Sequence, residues 1–251
     1  MEEGKTHFGF KQVDREQKAG LVKEIFSNVA EKYDLMNDLM SGGVHRIWKN
    51  KMVEEISPKN SEAKFIDVAG GTGDIAFRIA KKMRTKNVKY EIDVVDINQE
   101  MLDVGQVRAI DLNLFSGLKF TQCDGEKLSF ADETFDFFTI AFGIRNFTNI
   151  DKGLAEAHRV LKKGGKFICL EFSQVNDYFL QKIYDAYSFK VIPKIGEVVL
   201  KDGASYQYLV ESIRKFPPQE KFKKMIEDAG FKNASYQNLS FGAAAIHTGI
   251  K

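Results

Sequence analysis

The chain has 251 residues, 43% of them hydrophobic and 29% charged, and its 37 Lys and Arg against 35 Asp and Glu leave a formal charge of +2. That length carries a substantial core, and no run approaches the roughly 18 consecutive apolar residues of a membrane span, so no bilayer crossing is expected. So small a basic excess is no electrostatic footprint for nucleic acid. The two cysteines, Cys123 and Cys169, have neither metal-ligand nor CxxC spacing, so neither a disulfide framework nor a metal site is expected and a reducing compartment is the default. The leading MEEGKTHFGFKQVDREQ lacks the apolar segment of a secretory signal and is too acidic for an organellar presequence, which reads as cytoplasmic.

After this polar lead, Val22, Ile25, Phe26, Val29 and Tyr33 recur at three- and four-residue steps and predict one face of an amphipathic helix. Asn37, Ser41, Gly42 and Gly43 interrupt it before Ile47, Trp48, Met52, Val53 and Ile56 resume the pattern, so 18–57 reads as an N-terminal helical cap. Tyr33, Met36, Leu39, Met40 and Trp48 suit either an apolar ligand site or, as such stripes more often do, a packing surface. From Phe65 onward apolar strands alternate with helices: strands over 65–69, 90–95, 118–122, 135–142 and 166–172, helices over 75–83, 101–110 and 150–161. Repeated βα units of this kind predict a mostly parallel sheet covered on both faces, with ligands beyond the carboxyl ends of its strands. The stretch 173–218 departs from that rhythm and reads as a helical insertion over the site, rich in Tyr and Phe. A helix over 220–229 stops at Gly230, and strands over 235–238 and 243–248 predict an antiparallel finish. One domain over 1–251 accommodates all of these elements.

The stretch FIDVAGGTGDIA, residues 65–76, is a strand that breaks into glycines and then an acidic residue. Gly70, Gly71 and Gly73 allow positive φ and close backbone approach to a ligand, although such a turn also serves simply to join strand to helix. Gly71, Gly73 and Ala76 match the dinucleotide pattern G-x-G-x-x-G/A and Asp96 follows at the spacing of a ribose-binding acid, so an NAD(P)-binding Rossmann oxidoreductase is one reading. The other is S-adenosyl-L-methionine, whose ribose diol and sulfonium need a carboxylate and a narrow slot but no pyrophosphate cradle. Asp67 within the first strand, Asp124 with Gly125 after the third, and the terminal hairpin favour it. Asp96 is placed to accept from both ribose hydroxyls, with a helix N-cap as its plain alternative. Asp124 is placed to accept from an adenine amino group, or it makes an ordinary Asp-Gly turn. The hydroxyl of Thr72 faces either ligand or loop.

The segments GGTGD at 70–74, DINQEML at 96–102, FGIRN at 142–146, RVLKKGG at 159–165, LEFS at 170–173 and YQYLVESIRKFP at 206–217 resemble the ubiquinone/menaquinone biosynthesis C-methyltransferase family, the UbiE-like enzymes. KYDLMNDLMSGGVHRIWK at 32–49 is similar to it too, so the likeness covers nearly the whole chain. FGIRN and the YQYLVESIRKFP block are its most specific parts. Lys163 stands where the family usually has proline, and Ser129 and Ala131 where LPFP is more usual. The resemblance implies a class I S-adenosylmethionine-dependent methyltransferase fold, Rossmann-like, with an antiparallel last strand. It also implies methylation of a ring carbon in a polyprenylated benzoquinol or in demethylmenaquinol, with Thr72, Asp96, Asp124 and Gly125 as cofactor contacts.

Carbon methylation needs an electron-rich ring held near the methyl donor and loss of a proton from the neighbouring hydroxyl. Arg145 and Asn146 at the end of the fourth strand are candidates for the quinol oxygens, Arg145 being equally suited to a structural ion pair. Glu171 is a weaker candidate for the base. Tyr178, Tyr184, Tyr187, Tyr206 and Tyr208 form either a lid or packed helices, and His45, His158 and His247 lack a partner pattern. A polyprenyl tail calls for an apolar groove and transient seating on a membrane surface, peripheral at its inner face. A homo-oligomer or other quinone-synthesis enzymes remain open as partners, and a non-catalytic cofactor-binding subunit remains an alternative to the enzyme.

Overall fold

The computed structural model describes residues 4–29, 37–38, 41–174 and 203–251. At its centre lies β3 (Glu62–Val68), whose Phe65, Ile66 and Val68 are buried on both faces of the sheet. β4 (Lys89–Asp96), β5 (Leu118–Gln122), β6 (Phe135–Ala141) and β7 (Leu161–Phe172) run parallel to it. β8 (Lys232–Leu239) and β9 (Ala244–Ile250) complete a seven-stranded sheet in the order β5-β4-β3-β6-β7-β9-β8. β9 is antiparallel to both of its neighbours and lies inside the sheet, so the expected hairpin forms with β8 at the edge. β7 begins at Leu161, five residues before the sequence reading starts it, because LKKGG continues the ladder past a register shift opposite Phe135–Phe137.

Successive residues of the central strands feed opposite layers, as a period of two demands. Phe65 and Phe137 stack at 5.2 Å in the layer beneath α2 (His45–Glu54) and α3 (Asp74–Thr85), while Ile66 and Phe138 enter the layer beneath α5 (Ile150–Val160) and α7 (Gln219–Asp228). α4 (Gln99–Asp111) covers the β4–β5 end, with Asn98 as its N-cap accepting from the backbone N–H of Glu100 and Met101. The chain winds outward from β3 to β5 and then returns to β6 on the other side of β3. That reversal opens a crevice beyond the carboxyl ends of β3 and β6.

The polar lead is not featureless. β1 (Lys5–Phe8) and β2 (Lys11–Asp14) form an antiparallel hairpin that runs straight into α1 (Arg15–Val29). Its two-residue turn needs Gly9, at φ +59°, because a Cβ there would stand 2.2 Å from Glu211 Oε2. The hairpin docks on α6 (Gly203–Lys215), where Phe8 stacks on Tyr208 at 4.4 Å and Glu211 accepts from the Phe10 N–H at 2.9 Å. α6 is the described part of the helical insertion expected over 173–218. Tyr178, Tyr184 and Tyr187, with Tyr33, Met36, Leu39 and Met40, lie outside the described residues, as does the Tyr206 side chain.

α2 joins the core through one face. Replacing Met52, fully buried, with Ala is expected to cost about 2–5 kcal/mol, whereas Ile47→Ala, at a position 57% exposed on the same helix, should stay within about 0.5 kcal/mol of wild type. Urea unfolding of the two variants checks the difference.

Candidate functional site

The crevice holds a cavity of about 390 Å³, walled by the carboxyl ends of β3, β4 and β6 and closed on one side by α1. The turn after β3 shapes its floor. Gly71 sits at φ +51° and Gly73 at φ +83°, and a Cβ on Gly73 would stand 2.7 Å from the Phe77 ring. The tight path brings the backbone of the turn to the cavity while three of its N–H groups are paired, Gly70 to Val95 O at 3.0 Å, Gly71 to Asp96 at 3.0 Å and Gly73 to Gly70 O at 2.9 Å.

Two carboxylates stand out on the wall. Asp96 ends β4, with one oxygen accepting from the Gly71 N–H at 3.0 Å and the other from the Asn98 N–H at 2.9 Å. Burial pushes its carboxyl up to about 6 even though those bonds favour the charged form. Asp67 lies opposite Thr139 in the β3–β6 register, and Thr139 Oγ1 donates to its Oδ1 at 2.7 Å. Its Oδ2 is buried without a hydrogen-bond partner, and burial lifts this carboxyl to about 7. Across the whole wall six carboxylates, Glu16, Asp67, Asp74, Asp96, Asp124 and Glu126, face four cations, Arg15, Lys23, Lys49 and Lys152. Lys49 is committed to Asp74 at 2.7 Å. Burial would raise Asp74, but Lys49 and Arg78 outweigh it and hold the carboxyl at about 2.

The structure brings Asp67, Gly70, Gly71, Thr72, Asp96, Asp124, Gly125 and Asn146 together on this wall. Thr72 Oγ1 accepts from Arg108 at 2.8 Å. Asp124 is exposed at the rim, where its Oδ1 accepts from the Glu126 N–H at 2.8 Å and so makes the Asx turn of its plain reading as well. Gly125 is buried, and a Cβ there would lie 2.5 Å from the Phe147 ring. Asn146 Oδ1 accepts from the Tyr208 hydroxyl at 3.0 Å, which leaves its NH₂ as the donor available to the cavity.

Gly73, Arg145 and Glu171 are not on the wall. Gly73 builds the turn behind it. Arg145 and Glu171 pair with each other at 2.8 Å, with side chains 2% and 1% exposed. The guanidinium also donates to Ser212 Oγ and the Phe142 carbonyl, and it lies over the Phe172 ring. Burial raises Glu171 and the Arg145 charge opposes it. This is the structural ion pair that the sequence left as an alternative for Arg145.

Sequence reasoning missed Asn98 as a bridge between α1 and the site. While its Oδ1 caps α4, the Asn98 amide donates to Lys23 O at 3.2 Å and Ser27 Oγ at 3.1 Å, tying α1 down beside Asp96. The i, i+4 pair Val22 and Phe26, legible as a helical face, is the apolar part of what α1 presents to the cavity, beside Arg15, Glu16, Ala19 and Lys23.

A model of the ubiE/COQ5 methyltransferase family matches residues 11–251. The chain is 52% identical to a ubiquinone/menaquinone biosynthesis C-methyltransferase of Rickettsia felis, over 98% of both chains. It is 50% identical to the mitochondrial 2-methoxy-6-polyprenyl-1,4-benzoquinol methylase of Rattus norvegicus, over 98% of this chain and 84% of that one. Among solved structures it superposes on a SAM-dependent methyltransferase of Thermotoga maritima with a TM-score of 0.59 at 20% identity, covering 91% of this chain and 99% of that one. The class I Rossmann-like fold expected from the sequence is therefore the fold observed.

Removing either member of the buried Arg145–Glu171 pair strands a charge. Arg145→Ala and Glu171→Ala are each expected to cost about 3–5 kcal/mol, and the double variant much less than their sum; urea unfolding of the four proteins measures the coupling. The raised carboxyl of Asp67 binds a proton in the folded state that the unfolded chain has released, so its contribution is lost as pH rises toward 7. Wild type should lose about 2 kcal/mol between pH 5 and pH 7 that Asp67→Asn does not lose, again by urea unfolding.

Proposed function

The chain belongs to the ubiE/COQ5 methyltransferase family and is an S-adenosylmethionine-dependent C-methyltransferase, and on that premise we propose that it methylates a ring carbon of a polyprenylated benzoquinol or of demethylmenaquinol. The observation that carries the reading is the carboxylate-rich cavity at the reversal of strand order, with the orphaned Asp67 oxygen on its wall. An excess of anionic groups and an unpaired buried acceptor fit a ligand that bears a sulfonium and an ammonium. They do not fit a dinucleotide pyrophosphate, and the oxidoreductase alternative gives way to family membership.

Asp96, with both oxygens already oriented by backbone N–H groups, would hold the ribose hydroxyls, and Asp67 the ammonium. Gly70, Gly71 and Thr72 would form the slot, with Gly73 building the turn behind them, and Asp124 and Gly125 the purine edge. Once bound, the cofactor supplies an electrophilic methyl group. The chain's own part is to align the acceptor carbon with it and to exclude water. Asn146 offers its NH₂ to an acceptor oxygen, held in that orientation by Tyr208. Arg145 and Glu171 act one layer behind, fixing the turn that carries Asn146. The N-terminal helices and the 173–218 insertion would provide the apolar walls for the tail. Among the described residues no helix is long and apolar enough to cross a membrane, so access to a lipid-dissolved tail would be by transient seating on its surface.

Labelled methyl donor offered with demethylmenaquinol and with the benzoquinol precursor, side by side, tests the reading; no label in either ring would overturn it. Asp96→Ala should weaken binding of the demethylated cofactor product about 10- to 100-fold by calorimetry, the loss of a charge-assisted bond pair. Asn146→Ala should leave that affinity within about threefold while lowering kcat by roughly 10-fold or more; equal loss of both would remove Asn146 from its role.

A further inference from the structure

Among the exposed large apolar side chains, two groups stand at opposite ends of the sheet. Val107, Ile110, Leu112 and Phe115 lie at the end of α4 and in its link to β5, by the amino ends of the parallel strands. Ile47 and Phe241 lie at the carboxyl ends, where the crevice opens. Ala244, the first residue of β9, pairs with Phe172, the last of β7, so the Ser240–Gly242 turn before it is held at that end. Phe241 is 77% exposed, and its backbone is left-handed at φ +58° and ψ 24°. Glycine and asparagine enter that region readily and a bulky aromatic does not. Neither burial nor backbone geometry favours a phenyl ring at this position, which points to a role outside the folded chain.

Trp48 Nε1 donates to Ser240 Oγ at 3.0 Å, a bond that fastens the turn to α2 one residue from Phe241 and one from Ile47. The Trp48 ring packs on Phe142 at 6.4 Å and edge-on to Phe172 at 5.9 Å, and Phe142 lines the cavity. Patch and crevice are thus two sides of one aromatic cluster. Charge points the same way. Residues 42–53 and 229–251, which supply the patch, contain no Asp or Glu. Arg46 and Lys49 are answered by Asp38 and Asp74, while Lys51, one helical turn from Ile47, is exposed. Nothing acidic on either segment opposes approach to an anionic surface. The apolar group at the end of α4 differs, being flanked by exposed Asp103 and Asp111.

Resting on the quinol-methylating reading, we propose that Phe241 and Ile47 are the seat by which the protein rests on an anionic lipid bilayer, the phenyl ring entering the acyl boundary and Lys51 meeting the headgroup phosphates. A tail dissolved in lipid reaches the enzyme only from the bilayer, and this seat lays the crevice end of the sheet against it. The end of α4 then faces away from the lipid. Two apolar side chains and one exposed cation give a weak and reversible hold, the kind that lets the enzyme leave once its product is made.

Flotation with vesicles of equal parts phosphatidylcholine and phosphatidylglycerol tests the seat. Phe241→Asn, which suits the left-handed backbone, and Ile47→Ser should each lower partitioning about 10-fold, and Ile110→Ser should stay within about twofold of wild type. The chain has a single tryptophan, the buried Trp48, so Phe241→Trp reads the turn directly: vesicles should shift its emission to the blue beyond any shift in wild type. Phe241→Asn should methylate a short-tailed, water-soluble quinol at the wild-type rate and a long-tailed quinol held in vesicles more slowly. Wild type that fails to float, wild-type partitioning by both Phe241→Asn and Ile47→Ser, or an equal loss with Ile110→Ser overturns the seat and leaves the quinol reading intact. So does a Phe241→Asn protein that floats like wild type but has half its mass by light scattering, which would make the patch a contact between two copies. Absence of label in every quinol with wild type overturns the quinol reading instead, and flotation and emission then decide the seat on their own.

Discussion

A buried carboxylate in the middle strand of an apolar sheet, with a donor for only one of its oxygens, is the constraint around which this molecule is arranged. Asp67 is 1% exposed and takes the Thr139 hydroxyl on Oδ1; the Ala76 N–H also favours its charged form, but Oδ2 has no close hydrogen-bond partner. An unsatisfied buried polar atom costs on the order of 1–3 kcal/mol, and burial makes this one reluctant to ionise. The fold tolerates the cost at the place where the strand order reverses and a ligand can supply the missing partner. The glycine turn that follows closes over that atom, and a Cβ on Gly70 would stand 3.0 Å from it.

The support behind the crevice wall is long-range. The amino-terminal hairpin is held by α6 through contacts between residues about two hundred positions apart, Phe8 on Tyr208 and Phe10 N–H to Glu211. Tyr208 passes the same support to Asn146, and Ser212, one turn further along α6, reaches Arg145. The turn after β6 is therefore clamped from α6 on one side and from Glu171 at the end of β7 on the other.

Much of this was written in the sequence. Near-continuous apolar strands alternating with helices of period 3.6 dictate a parallel sheet covered on both faces, because no other arrangement buries both patterns. Left-handed backbone at Gly71 and Gly73, and an acid at the end of β4, follow from residue type and position alone. The β1–β2 hairpin did not, because KTHF and KQVD are four-residue strands whose pairing is stabilised by distant partners, α6 and the Thr148 carbonyl. Nor did the partnership of Arg145 with Glu171: the two are 26 residues apart and meet because β6 and β7 lie side by side and end together. The sequence by itself determined which backbone shapes and which chemical groups were present. Only the tertiary structure decided which charges face one another, since sheet order and helix docking bring together side chains that no local spacing relates.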